Sequence, residues 1–252
     1  MTDEAARRQW AAVAERYGAG WKQASAADLA WLVAAVQPAP MDRALDVGTG
    51  GGHAALALAP AVASVDAIDP TPEMLAVAGR LAAQRGITNV AFTRAAADTL
   101  PFPDASFDLA ITRFSVHHWP LPGPAFRELR RVMRPGGRLG IVDQLAPEDG
   151  PLDSFLNAVE LLRDPSHARS LRASEWLAVL AAAGFAGRVE RTWELEHDVE
   201  SWLATTEPAA WRADAVRALL RDAPPAAREH FRIADDASRI SVACALIVAT
   251  RV

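Results

Sequence analysis

Short runs of β-type apolar residues alternate, through the first half of the chain, with longer runs in which apolar positions recur three and four apart. The short runs predict strands over 43–47, 64–69, 90–93, 109–112 and 139–143. The longer ones predict helices near 53–59, 72–85 and 124–133. The punctuation agrees with this division. Pro72 suits a first helical position and Glu73 its first turn, while "RPGG" at 134–137 ends a helix and turns the chain into the next strand. Strands alternating with helices imply βαβ units and an α/β fold with a mostly parallel sheet.

The second half reads differently. Two helical patterns flank "RDPSH" at 163–167, with Asp164-Pro165-Ser166 read as the start of the second helix and His167 in its first turn. "GRVERTWEL" then predicts a strand, about 197–236 is helical, and "RISVACALIVATRV" closes the chain as a strand. Helical insertions at about 146–183 and 197–236 are expected to cap a single domain spanning 1–252.

Composition narrows the classes. The chain has 252 residues, 51% apolar and 23% charged, which is ordinary for a globular domain with a sizeable core. A net charge of −5 gives no basic field for nucleic acid. Cys244 is the only cysteine, so a disulfide framework and a cysteine-based metal site are excluded. The histidines and acids show no metal-ligand spacing either. The first residues, "MTDEAARRQWAAVAERYG", lack an apolar signal core, and no apolar run approaches the length of about 18 that spans a membrane. A cytoplasmic protein is expected.

The densest chemistry lies in "ALDVGTGGGHAALALA", residues 44–59, between a predicted strand and a predicted helix. A phosphate-binding Walker loop needs Gly-Lys-Ser/Thr, and no lysine is near. A dinucleotide fingerprint is met weakly by Gly50, Gly52 and Ala55. The pattern acid-x-G-x-G-x-G is met in full by Asp46, Gly48, Gly50 and Gly52. Asp69 ends the next strand, where a carboxylate can accept both hydroxyls of a ribose.

"LDVGTGGG" resembles motif I of the class I S-adenosylmethionine (SAM) methyltransferases. The stretches "LPFPDASFD", "HHW" and "RELRRVMRPGGRLGIVD" extend the resemblance over residues 41–143 to the methyltransferase type-11 group, which includes the ubiquinone/menaquinone C-methyltransferases. The resemblance implies a Rossmann-like, seven-stranded, mostly parallel sheet whose reversed last strand lies between the fifth and sixth. It implies an enzyme that takes SAM and releases S-adenosylhomocysteine (SAH). In that setting the methionine half of SAM lies across bare glycines, Asp46 supplies negative charge near its cationic end, and Pro70 packs on the adenine. Tyr17 is placed in an N-terminal segment that folds over SAM. One departure stands out: the family's Gly-Asp-Ala-Glu before "LPF" is Ala95-Ala96-Ala97-Asp98 here. Adenine recognition is then expected from backbone around Ala97, with Asp98 helping.

A sulfonium methyl is already activated, and positioning alone can supply roughly 7–11 kcal/mol, so a base is optional. His117 and His167 are the candidate bases. Arg113 is read either as paired with an acid such as Asp143 or as facing an anionic substrate; His118 and Trp119 join it at the substrate. The expected cavity is bounded by the His117–Trp119 loop, Arg113 and the insertion carrying His167, and takes a small, partly apolar molecule. The rival readings are a non-methylating SAM-binding enzyme or sensor, and an NAD-type oxidoreductase.

Overall fold

The fold is given by a computed structural model, which describes residues 10–11 and 26–252. Its frame is a seven-stranded sheet: β1 (Arg43–Val47), β2 (Ser64–Asp69), β3 (Val90–Arg94), β4 (Phe107–Arg113), β5 (Met133–Gln144), β6 (Phe185–Asp198) and β7 (Arg239–Arg251). The order is β3-β2-β1-β4-β5-β7-β6. Strands β1 to β5 pair in parallel, and β7 runs antiparallel between β5 and β6. This is the Rossmann-like arrangement with the reversed last strand.

The strand sequences explain their places. β1 is buried on both faces after its first residue, as its unbroken "ALDV" requires of a central parallel strand. After a register shift near Arg191, β6 alternates exposed and half-buried positions along "TWELEHD", the pattern of an edge strand with one wet face. β5 starts earlier than expected, at Met133. Met133 pairs with Phe107, the register then slips, and Arg138 pairs with Leu109, so "RPGG" is an irregularity within the strand rather than a turn before it.

Helices cover both faces. One face carries α1 (Ala26–Ala35), which the apolar periodicity did not single out, and α2 (His53–Leu58). Leu32, Val36, Leu58 and Ile111 meet there in one cluster. Gly140 of β5 makes that approach possible, since a Cβ would lie 2.6 Å from Val36 and 2.8 Å from Leu32. The other face carries α4 (Pro122–Val132) and α6 (Ala173–Ala182), where Phe126, Leu129, Trp176 and Leu180 pack with Phe107 and Phe185. α3 (Pro72–Gln84) lies between β2 and β3 and starts at Pro72 as expected.

A third cluster stands apart from these two. It joins α5 (Gly150–Arg163), α7 (Val199–Thr206), α8 (Ala210–Arg221) and α9 (Pro225–His230) through Leu156, Val159, Trp202, Val216 and Phe231. The start of β7 contributes Ile240 and Val242. Since Gln144 pairs with Cys244 and Asp198 with Arg239, this helical unit sits at the carboxyl edge of the sheet. The segment 146–183 therefore divides: α5 enters the helical unit, while α6 returns to the sheet. No helix starts at Ser166; the chain runs without one until Ala173.

Candidate active site

A cavity opens at the carboxyl ends of β1, β2, β3 and β4, beside the point where strand order reverses from β1 to β4. The glycine loop forms its floor. Gly48, Gly50 and Gly52 have φ of 72°, 50° and 84°, left-handed values that suit glycine. Gly48 N–H and Thr49 N–H both donate to Ile68 O at 2.9 Å. Asp46 is fully buried; its Oδ2 accepts from Thr49 Oγ1 (2.7 Å) and Ala55 N–H (3.0 Å). Burial pushes its pKa up to about 6, with those two bonds opposing. Asp46 Oδ1 is buried with no partner among the described residues.

Two of the glycines make room for protein rather than for a ligand. A Cβ on Gly48 would lie 1.9 Å from Ser115 Oγ, and one on Gly52 would lie 2.8 Å from the Ala78 Cβ. Gly50 lines the cavity, and its N–H donates to Asp69 Oδ2 at 2.9 Å. Asp69 Oδ1 accepts from Thr71 N–H at 2.9 Å. The Thr71 hydroxyl also faces this carboxylate, which with three donors still keeps acceptor capacity for a further one. Pro70 and Ala95 to Ala97 line the same side. Asp98 is exposed and does not line the cavity; its near contact is Thr99 Oγ1 at 3.4 Å.

The remaining wall follows β4. Arg113, Phe114, Ser115, His118 and Trp119 line it. Phe114 has a φ of 48°, a conformation rare for such a side chain. Arg113 Nε donates to Asp28 Oδ2 at 2.7 Å, so its acid is on α1 and is not Asp143. Trp119 Nε1 donates to Ser115 Oγ at 3.2 Å. Trp10 also lines the cavity and meets the His118 ring edge-on at 5.3 Å. Tyr17 lies outside the described residues.

The histidines sort differently from the expectation. His117 and His167, the two candidate bases, do not line the cavity; His118 does. His117 is buried, with Nδ1 2.5 Å from Asp143 Oδ1. Burial acts to lower its pKa, but the Asp143 carboxylate overrides this and raises it above the usual range. Asp143 also accepts the N–H groups of Val116, His117 and Gln144. The His117 carbonyl accepts Ala168 N–H (2.7 Å) and Arg169 N–H (3.1 Å), which ties the 164–170 loop to the turn after β4. His167 is 1% exposed, and its Nε2 is 3.0 Å from Asn157 Oδ1. Asn157 Oδ1 also accepts Ser170 N–H, so His167 Nε2 is the donor. No residue of 146–236 lines the cavity among the described residues. The 164–170 loop backs the wall instead of roofing it.

Burial lowers the pKa of His118 to about 3 and those of His167 and His197 to about 4. Each folded value is below the unfolded one near 6.5. The unfolded chain therefore takes up protons there that the native chain refuses, and stability falls as pH drops below 6.5. His167→Gln removes one such group. In urea titrations between pH 6.5 and 4 its unfolding free energy should fall less steeply, by up to about 1.4 kcal/mol per pH unit. Asp46 acts in the opposite sense, between 3.8 and about 6, but equally in both proteins. An unchanged slope would show that His167 takes a proton in the folded state.

Sequence reading missed Trp10, Asp28, Phe114, Ser115 and Ser166. Only "DPS" carried a signal: Asp164 Oδ1 accepts both the N–H (2.8 Å) and the hydroxyl (2.6 Å) of Ser166, a side-chain turn rather than a helix start.

Comparison with known proteins fits this geometry. A family model described as a methyltransferase domain matches residues 45–141. The uncharacterized methyltransferase YcgJ of Bacillus subtilis is 38% identical over 206 residues, covering 82% of this chain and 81% of the relative. The crystal structure of YcgJ superposes with a TM-score of 0.86 at 34% identity, over 89% of this chain and 98% of that one. A demethylmenaquinone methyltransferase of Thermus thermophilus is 36% identical over 189 residues, 65% of this chain and 84% of the relative. The [4+2]-cyclase SpnF superposes with a TM-score of 0.65 at 25% identity, over 92% of this chain and 83% of that one.

Proposed function

The chain belongs to the methyltransferase-domain family, and from that premise we propose that it binds SAM at the glycine loop and transfers the methyl group to a small molecule. The observation that carries the reading is the pairing of Asp46 and Asp69 across one loop. Both are buried carboxylates, both brace the loop by backbone bonds, and both keep acceptor capacity on the cavity side of the sheet. Asp69 would take the ribose hydroxyls, and the orphaned Oδ1 of Asp46 suits the ammonium end of the ligand. Gly48, Gly50 and Gly52 set the loop, while Pro70 and the backbone at Ala97 stand on the side expected for adenine. The bound group supplies an electrophilic methyl. The chain itself orients the acceptor with Arg113, His118 and Trp119.

SAM and SAH should raise the melting temperature, and NAD should not, because a ligand that binds the native state stabilises it by mass action. Asp69→Ala should weaken SAM binding at least tenfold, since a hydrogen bond to a charged group is worth about 1.5–3 kcal/mol. Calorimetric titration measures this, and an unchanged dissociation constant would reduce Asp69 to a brace for Gly50 and Thr71. Stabilisation by NAD alone would overturn the cofactor.

A second reading, a SAM-binding protein that does not methylate, is favoured by one observation: neither helical insertion supplies a cavity residue among those described. Incubation with labelled SAM and a metabolite extract separates the two. Label in a small molecule supports the enzyme; tight SAM binding with no transfer supports the binder.

A further inference from the structure

Ser166 Oγ is the node of three contacts. Trp10 Nε1 is 3.1 Å away, Asp164 Oδ1 2.6 Å and His118 Nδ1 3.1 Å. An indole N–H can only donate, so Oγ accepts from Trp10. A hydroxyl has one proton, and two atoms compete for it: the Asp164 carboxylate and His118 Nδ1. The carboxylate is closer and charged, and it already accepts Ser166 N–H at 2.8 Å. The proton therefore goes to Asp164. The second lone pair of Oγ then faces His118 Nδ1, and that contact is a bond only if Nδ1 carries the imidazole proton.

This count leaves Nε2 as a bare lone pair. It has no partner among the described residues, and its ring lines the cavity between Trp10 and Trp119. The neighbouring ring of His117, paired with Asp143, is 4.0 Å away centroid to centroid and disfavours a second positive charge. Burial, with that neighbour, keeps the His118 pKa down to about 3. The ring is thus a neutral acceptor at physiological pH.

We infer that His118 is a specificity-determining acceptor whose Nε2 takes a hydrogen bond from a hydroxyl group carried on an apolar body. The inference rests on the methyl-transfer reading for the identity of that molecule, which is the methyl acceptor. The apolar body is argued from the rings of Phe114, Trp119 and Trp10 on the same wall. A cationic amine is disfavoured because a sulfonium would stand beside it.

The test is side-chain ¹⁵N NMR of the imidazoles, with the His118 signals assigned by their loss in His118→Gln. In the wild-type chain without ligand, His118 should be protonated at Nδ1 and not at Nε2. In Ser166→Ala, whose side chain is outside the cavity, the two tautomers should mix. With SAH present, phenol at millimolar concentration should move the Nε2 signal, and anisole, which lacks the donor proton, should not. A proton on Nε2 in the wild-type chain overturns the acceptor assignment. Equal effects of phenol and anisole, including no effect from either, overturn the hydroxyl. The tautomer measurement needs no cofactor and, beyond the folded His118→Gln used for assignment, no other variant, so failure of SAH to raise the melting temperature would remove the methyltransferase reading and leave the His118 result standing.

Discussion

Gly48→Ala is expected to weaken SAM binding at least a hundredfold and to lower the melting temperature. Two independent effects add. The left-handed φ of 72° disfavours any residue with a Cβ, by about 1–2 kcal/mol. The Cβ would also lie 1.9 Å from Ser115 Oγ and 2.7 Å from its Cβ. Ser115 does not yield freely, because its hydroxyl accepts from Trp119 Nε1 and it follows Phe114, itself left-handed. The loop after β4 must retreat, and it carries one wall of the cavity. Gly136→Ala is the control: its φ is 74°, but a Cβ there meets nothing within 4 Å. It should show the backbone effect alone, with SAM affinity kept. Gly48→Ala combined with Ser115→Gly should recover part of the affinity. Titration calorimetry reads all three, and a Gly48→Ala dissociation constant within threefold of wild type would remove the close approach from the argument.

Asp143→Ala is expected to lower the unfolding free energy by about 3–5 kcal/mol, as does removal of one partner from a buried ion pair. Asp143 is 1% exposed and satisfies the His117 ring and three backbone N–H groups. Alanine would leave all four donors buried. Asp143→Asn should do less damage, since its amide oxygen can still accept from the backbone while the His117 ring becomes neutral. Urea denaturation monitored by tryptophan fluorescence measures both. A loss under about 1 kcal/mol for the alanine variant would mean that water or a shifted side chain replaces the carboxylate.

The glycine loop and the strands flanking it were legible because their residues are local. Asp46 and the glycines fall within one turn, and β1 and β2 ended where the apolar runs did. The choice among histidines was not legible. His117 and His118 are adjacent in one short helical turn, and what sends His117 inward is Asp143, 26 positions away on β5. Arg113 finds Asp28, 85 positions earlier, on a helix that periodicity did not reveal. Phe114 adopts a left-handed backbone that nothing in a phenylalanine announces. α5 and α6 each carry an apolar face, and only tertiary packing sends one to the helical unit and the other to the sheet.

The separate apolar core of α5, α7, α8 and α9 has a consequence for how such a chain diversifies. Its cluster shares no residue with the two that flank the sheet. Substitutions at distant, non-contacting sites add nearly independently. These helices can therefore be reworked without substituting any residue of the two sheet clusters, and the 164–170 loop, bonded to the His117 carbonyl and to His118, is where such a change would reach the cavity wall. Change in the helical unit and constancy of the glycine loop are therefore separable in this architecture.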